Sequence, residues 1–170
     1  MEKLVVDQIF NKIEWLGHAG FLIRWNEKNI YIDPYEISDD LPKADIILIT
    51  HEHYDHCSPQ DISKIQGEQT IFVTEKSSVT KLKGHIKTLA PGDSIRIGDI
   101  HVEAVPAYNT NKKFHPKSNR WLAFIITIDK VRIYHAGDTD YIPEMKDIKA
   151  DIALLPVSGT YVMTPDEAVQ

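Results

Sequence analysis

The run Ala44-Asp45-Ile46-Ile47-Leu48-Ile49, followed at once by Thr50-His51-Glu52-His53-Tyr54-Asp55-His56, constrains this chain most. A nearly continuous apolar run of this length is the pattern of a strand covered on both faces. The segment after it sets metal-capable groups at the strand's end. In extended backbone alternate side chains share a face, so His51, His53 and Asp55 are expected to point together. His56 then follows as the chain turns into the next helix. Imidazole nitrogen and carboxylate oxygen form a mixed donor set that zinc, iron and manganese all accept. An exposed polar loop could also hold such residues. Three histidines and an aspartate within six residues at a strand-to-loop junction favour metal binding over that blander reading.

Around this core the chain reads as strands joined by tight turns. Short β-type runs cover 13–16, 21–25 and 29–32, separated by Gly17-His18-Ala19-Gly20 and Asn26-Glu27-Lys28. Ser58-Pro59-Gln60-Asp61 predicts a helix start, with Ser58 as cap, Pro59 at the first helical position and Asp61 at the positive end. Further strands are expected over 70–74, 100–105 and 151–155, a short helix over 77–82, a turn at Pro91-Gly92-Asp93, and a hairpin of 121–128 and 131–135 around Asp129-Lys130. Residues 109–120 are polar and aperiodic and predict a long surface loop, a kind of segment that often carries function. Strands mixed with helices indicate a layered α/β (α+β) fold, and 170 residues suit one domain spanning 1–170.

The remaining bulk properties exclude several classes. Nineteen basic against twenty-five acidic side chains give a net charge of −6, which disfavours a general nucleic-acid binder. Cys57 is the single cysteine, so no internal disulfide forms and a reducing, cytoplasmic home is expected. The N-terminus lacks the pattern of a signal peptide, and no stretch approaches the ~18 consecutive apolar residues of a membrane span.

A second element, Tyr134-His135-Ala136-Gly137-Asp138-Thr139-Asp140, again ends a strand in a glycine turn with acidic residues. Alone it is an ordinary Gly-Asp turn. Beside the first motif it offers a carboxylate that can hold two cations close together, as two-metal hydrolysis requires.

Both motifs, in this order, resemble the metallo-β-lactamase superfamily, whose signature is His-x-His-x-Asp-His followed much later by a Gly-Asp turn. The resemblance runs from about Ile13 to the end of the chain. Trp15-Leu16-Gly17-His18-Ala19-Gly20-Phe21, Val105-Pro106-Ala107-Tyr108-Asn109 and Leu155-Pro156-Val157-Ser158-Gly159-Thr160-Tyr161 are similar to a branch of metal-dependent hydrolases related to the ascorbate-6-phosphate lactonases. The resemblance implies an αββα sandwich and two divalent metal ions, zinc first, with manganese or iron as alternatives. It implies His51 and His53 on the first metal, Asp55 and His56 on the second, and Asp138 bridging. The superfamily also takes a histidine from a loop after a mid-chain strand, where this chain has Ala107-Tyr108-Asn109. His115, Asn109 or a water are the candidates for that place.

The implied function is hydrolysis of a small ester, lactone or phosphoester by metal-activated water, with Asp55 as the catalytic residue that orients the water or shuttles its proton. His18, Asn109 and His115 are the expected substrate contacts. Lys112, Lys113, Lys117 and Arg120 make the 109–120 loop basic, which suits an anionic small-molecule substrate or, more simply, a solvated loop. Cys57 is expected to be buried, and His135 to pack near the hairpin end. The alternatives are a metal-binding fragment without turnover and a nuclease or phosphodiesterase; no nucleic-acid or membrane partner is expected, and a homo-oligomer is possible.

Thr164-Pro165-Asp166-Glu167 is a capping box, yet only three residues follow it. A helix that short has little stability of its own. The sandwich is therefore expected to be incomplete at the C-terminus, by truncation or with a partner completing it.

Overall fold

The computed structural model describes residues 2–170, which fall into two compact units, one up to residue 89 and one from residue 90. The N-terminal unit holds helix α1 (Glu2–Phe10), strands β1 (Ile13–Gly17), β2 (Gly20–Trp25), β3 (Lys28–Ile32) and β4 (Ala44–Ile49), helix α2 (Pro59–Ile65), and strands β5 (Gln66–Thr74) and β6 (His85–Thr88). The C-terminal unit holds β7 (Ser94–Ile97), β8 (Ile100–Pro106), β9 (Leu122–Ile128), β10 (Val131–His135), β11 (Ile152–Leu154) and the short helix α3 (Pro165–Ala168). Short 3₁₀ turns cover Ser78–Lys81, Lys117–Asn119 and Pro143–Asp147.

The first sheet runs in the order β1-β2-β3-β4-β5-β6. Its first two pairings are antiparallel and the remaining three parallel. Strand β4 is interior, with parallel neighbours on both sides, and Ile46, Ile47, Leu48 and Ile49 are all buried. Period-2 geometry puts consecutive residues on opposite faces, so burial of all four means both faces are covered, as the apolar run predicts. One face packs Tyr31, Ile47, Ile49 and Phe72 against Ile62 and Ile65 of α2. That helix starts as the sequence predicts: the Asp61 amide donates to Ser58 Oγ at 3.2 Å, and Pro59 takes the first turn. The second sheet runs β11-β10-β9-β8-β7, antiparallel except for β10 with β11.

Three elements differ from the sequence reading. Helix α1 exposes Leu4 and Phe10 and buries Ile9, so its apolar stripe is too thin to stand out. Strands β6 and β7 are four residues each and half exposed, too short for a periodic signal. The capping box at α3 forms in full: Thr164 Oγ1 accepts from the Glu167 amide while the Glu167 carboxylate accepts from the Thr164 amide at 2.7 Å. No helix among the described residues is long and apolar enough to cross a membrane.

Candidate metal centre

Residues 51–57 are not extended. The amides of His56 and Cys57 both donate to the His53 carbonyl, at 3.1 and 2.8 Å, closing a tight turn directly after β4. The alternation argument for His51, His53 and Asp55 therefore fails as a mechanism. The turn brings the side chains together by a different route and sorts them into two groups. His51 Nε2 and His53 Nδ1 approach to 3.0 Å. Asp55 Oδ2 instead faces His18 Nε2 at 3.3 Å and His56 Nε2 at 4.0 Å. The His51 and His56 rings lie 4.1 Å apart, which joins the two groups.

His18 reaches this place because the β1–β2 turn is unusually tight. His18 adopts a left-handed backbone (φ 49°) after Gly17 (φ 104°). A Cβ on Gly20 would lie 3.1 Å from the Gly17 carbonyl oxygen and 3.2 Å from that of Asp33, so this turn closes against backbone where only glycine fits without a shift.

A residue the sequence reading missed organises the histidines. Asp33 follows β3 with a left-handed backbone (φ 43°) and is fully buried. Its carboxylate accepts from the Thr50 amide at 2.8 Å, from Thr50 Oγ1 at 2.6 Å and from His56 Nδ1 at 2.8 Å. With the His56 proton held on Nδ1, its lone pair sits on Nε2, toward Asp55. Thr50 Oγ1 donates to Asp33, so it accepts from His51 Nδ1 at 3.0 Å, which puts the His51 lone pair on Nε2, toward His53. One buried carboxylate thus sets the tautomer of two histidines, the arrangement that orients metal-ligating imidazoles. The only local hint was an aspartate before Pro34 at the end of an apolar strand.

The donor set fits a divalent cation. Bonds of 2.0–2.1 Å in tetrahedral geometry separate neighbouring ligand atoms by ~3.3 Å. His18, Asp55 and His56 can hold a metal ion, their donor atoms all lying within 4.8 Å of one another. His51 and His56 are buried, whereas the Asp55 side chain keeps 24% exposure, so the carboxylate remains accessible to water. Cys57 is buried with its thiol pushed up to about 11 by burial, so it behaves as a small core residue, as expected.

In the C-terminal unit Gly137 (φ 59°) turns the chain after β10, and Asp138 Oδ2 lies 3.2 Å from His115 Nε2. The two residues are brought together by a network around the 109–120 loop. Asn109 Oδ1 accepts from the His115 amide at 2.9 Å and from His115 Nδ1 at 3.2 Å. Asn109 Nδ2 donates to Asp140 Oδ1 at 3.1 Å and to the Tyr161 carbonyl at 2.9 Å, which fixes which way the amide points. His115 therefore points its Nε2 at a carboxylate, a contact that a proton or a cation shared between them satisfies. Asn109 orients His115, and His115 is the ring that meets Asp138.

Asp140 is fully buried and ties the loop down through Lys112 Nζ at 2.6 Å and the Thr110 amide at 2.8 Å. Burial pushes its carboxyl up, but the Lys112 ammonium and the Thr110 amide outweigh this and hold it below the usual carboxylate range. Lys117 pairs with Glu144 at 2.9 Å and lies 4.4 Å over the Tyr108 ring. Two of the four loop cations thus already pair with carboxylates of the chain, Lys112 mostly buried and Lys117 exposed, which weakens the expectation that the loop gathers anions. His135 is buried and accepts from the Gly137 amide at 3.3 Å, consistent with a packing role.

A family model described as the beta-lactamase superfamily domain matches residues 12–170. A UPF0173 metal-dependent hydrolase of Thermoplasma volcanium is 35% identical over 173 residues, covering 94% of this chain and 76% of the relative. A UPF0173 protein of Pyrococcus abyssi is 36% identical over 169 residues, covering 93% and 75%. A protein of Parabacteroides distasonis named as a candidate metal-dependent hydrolase has a crystal structure that superposes with a TM-score of 0.86 at 42% identity, over 92% of this chain and 74% of that one. A metallo hydrolase of Ignicoccus hospitalis shares the fold, with a TM-score of 0.74 at 23% identity over 92% and 75%. With its two mixed sheets, its histidine-rich turn after an interior strand and these relatives, the chain belongs to the metallo-β-lactamase superfamily, among the UPF0173 metal-dependent hydrolases.

Proposed function

We propose that this chain hydrolyses a small ester, lactone or phosphoester, using His51, His53, Asp55, His56 and Asp138 to hold two divalent cations, zinc first among them. The observation that carries this reading is the approach of His51 to His53 at 3.0 Å and of His56 to Asp55 at 4.0 Å, in front of the buried Asp33 carboxylate. His115 joins the ligand set in this reading, since its oriented Nε2 faces Asp138. It takes the role of the loop histidine that Ala107-Tyr108-Asn109 does not supply. The lactone option follows from the resemblance to the ascorbate-6-phosphate lactonases.

Such cations lower the pKa of a water toward neutrality and polarise the substrate's carbonyl or phosphoryl oxygen. The chain's own residues do the rest. Asp55 orients the attacking water and accepts its proton. The water oxygen bonds to the acyl carbon or phosphorus, the bond to the leaving oxygen breaks, and that oxygen takes up the proton that Asp55 accepted, directly or through water. His18, half exposed and 3.3 Å from Asp55, is placed to steady Asp55 and to contact the substrate. Asp33 and Thr50 keep the imidazoles in the tautomers that bind.

Elemental metal content per purified chain tests this, alongside His53→Ala and a panel of generic esters, lactones and phosphoesters. About two equivalents, falling in the variant together with a loss of hydrolysis on the order of 10³-fold, is the expected result. About one equivalent without turnover indicates a metal-binding protein that is no enzyme. No metal after reconstitution with zinc and manganese sinks the proposal.

A further inference from the structure

Tyr54 lies inside the histidine-rich turn, between His53 and Asp55, yet it is 71% exposed. It is also the outer end of a row of rings. Tyr54 meets Tyr35 at 5.8 Å, Tyr35 meets His18 at 5.7 Å, and His18 meets His56 at 5.1 Å, each pair near perpendicular. The row runs from solvent to the fully buried His56, and Asp55 Oδ2 sits beside its third member. Tyr35 follows Asp33 and Pro34 and precedes Glu36; Asp33 and Glu36 have left-handed backbone, and the Asp33 carboxylate accepts three hydrogen bonds. A third large ring, Trp15, is 68% exposed and tied to the same turn by donating from Nε1 to the His18 carbonyl at 3.0 Å.

Mutual packing accounts for the contacts in this row but not for the exposure. In an edge-to-face pair one ring spends its edge on the other's face, so π surface stays uncovered. Uncovered aromatic surface next to reactive groups suits a flat unsaturated guest, which gains from ring–ring contact beyond simple area burial.

We propose that Tyr35 and Tyr54 determine specificity, seating an aromatic or heteroaromatic group of the substrate so that its scissile bond lies at Asp55 and His18. The proposal rests on the hydrolase reading of this turn and narrows it to substrates bearing a planar ring. The tyrosines take no part in the bond-making step.

Binding of 1-naphthoate, cyclohexanecarboxylate and acetate to the metal-loaded protein separates ring recognition from carboxylate capture and from general hydrophobicity. The wild type is expected to prefer naphthoate. Tyr54→Leu should weaken naphthoate about two- to tenfold, with acetate affinity and metal content unchanged, while Tyr54→Phe keeps the preference. A naphthoate preference that survives Tyr35→Leu/Tyr54→Leu, or a wild type that binds cyclohexanecarboxylate equally well, overturns the inference and leaves the hydrolase reading standing. If the wild type takes up no metal, the hydrolase reading fails instead. The naphthoate-to-cyclohexanecarboxylate ratio in the metal-free proteins then decides the ring inference on its own: a ratio that falls in Tyr54→Leu supports it, and an unchanged ratio overturns it.

Discussion

The histidine-rich turn of the N-terminal unit and the Asp138–His115 pair of the C-terminal unit present similar donor atoms by opposite means. In the first, four candidate ligands fall within six residues of chain, and a single turn after β4 gathers them. Asp33 then fixes the ring orientations of two of them, His51 and His56, from behind. In the second, the two donors are 23 residues apart in sequence, and an extended loop is pinned so that they meet. A ligand cluster encoded locally needs one long-range contact to set its tautomers. A pair encoded at a distance needs a whole network of them.

The comparison is most easily broken at Asp140. Asp140→Ala removes the carboxylate that holds Asn109, Thr110 and Lys112, and leaves a lysine that is mostly buried without its counter-charge. A loss of about 3 kcal/mol in unfolding free energy is expected, measured by denaturant titration. A loss below about 1 kcal/mol would mean that the loop holds itself.

Asp33→Asn probes the first region at the same depth. Asparagine keeps the shape but presents either an amide N–H or one oxygen where the carboxylate served Thr50 and His56 together. Metal affinity should fall about 10–100-fold with the fold intact, as titration with a competing chelator would read. Asn109→Ala, which frees the His115 ring and also removes the bonds to Asp140 and the Tyr161 carbonyl, should cost about tenfold. If Asn109→Ala costs more than Asp33→Asn, the dependence on long-range contacts is the reverse of the one drawn above.

The smallest effect is a pH dependence seated away from both groups. Asp61 sits in the first turn of α2: burial raises its carboxyl, but Ser58, Lys64 and the Ile37 amide outweigh this and hold it below the usual carboxylate range. A lowered folded-state value means its stabilisation is complete above the ordinary pKa of ~3.9 and is lost as pH falls through the folded value. Asp61→Asn should flatten the acid side of the stability profile below about pH 4 by at most about 1.4 kcal/mol per pH unit, and leave neutral pH dependence unchanged.

Much of this was legible in the chain. The interior position of β4 followed from four consecutive apolar residues, the start of α2 from Ser58 and Pro59, and the capping box at Thr164 from its spacing. The proposal of 51–56 as a candidate ligand cluster followed from residue types. Its geometry did not, because the extended alternation assumed for His51, His53 and Asp55 is replaced by a turn that puts Asp55 with His18.

What the sequence determined by itself is chemistry packed into a short stretch: an apolar strand, a run of imidazoles and a carboxylate, and a Gly-Asp turn. Those signals survive in one dimension because their parts are neighbours along the chain. What only the tertiary structure decided is which distant group completes each local one: Asp33 behind His56, His115 beside Asp138, Tyr35 against His18. Each of those pairings joins residues 17 or more apart, and nothing in the residues between them sets the contact distance. Strand pairing and loop pinning set it, and these depend on the sheet as a whole.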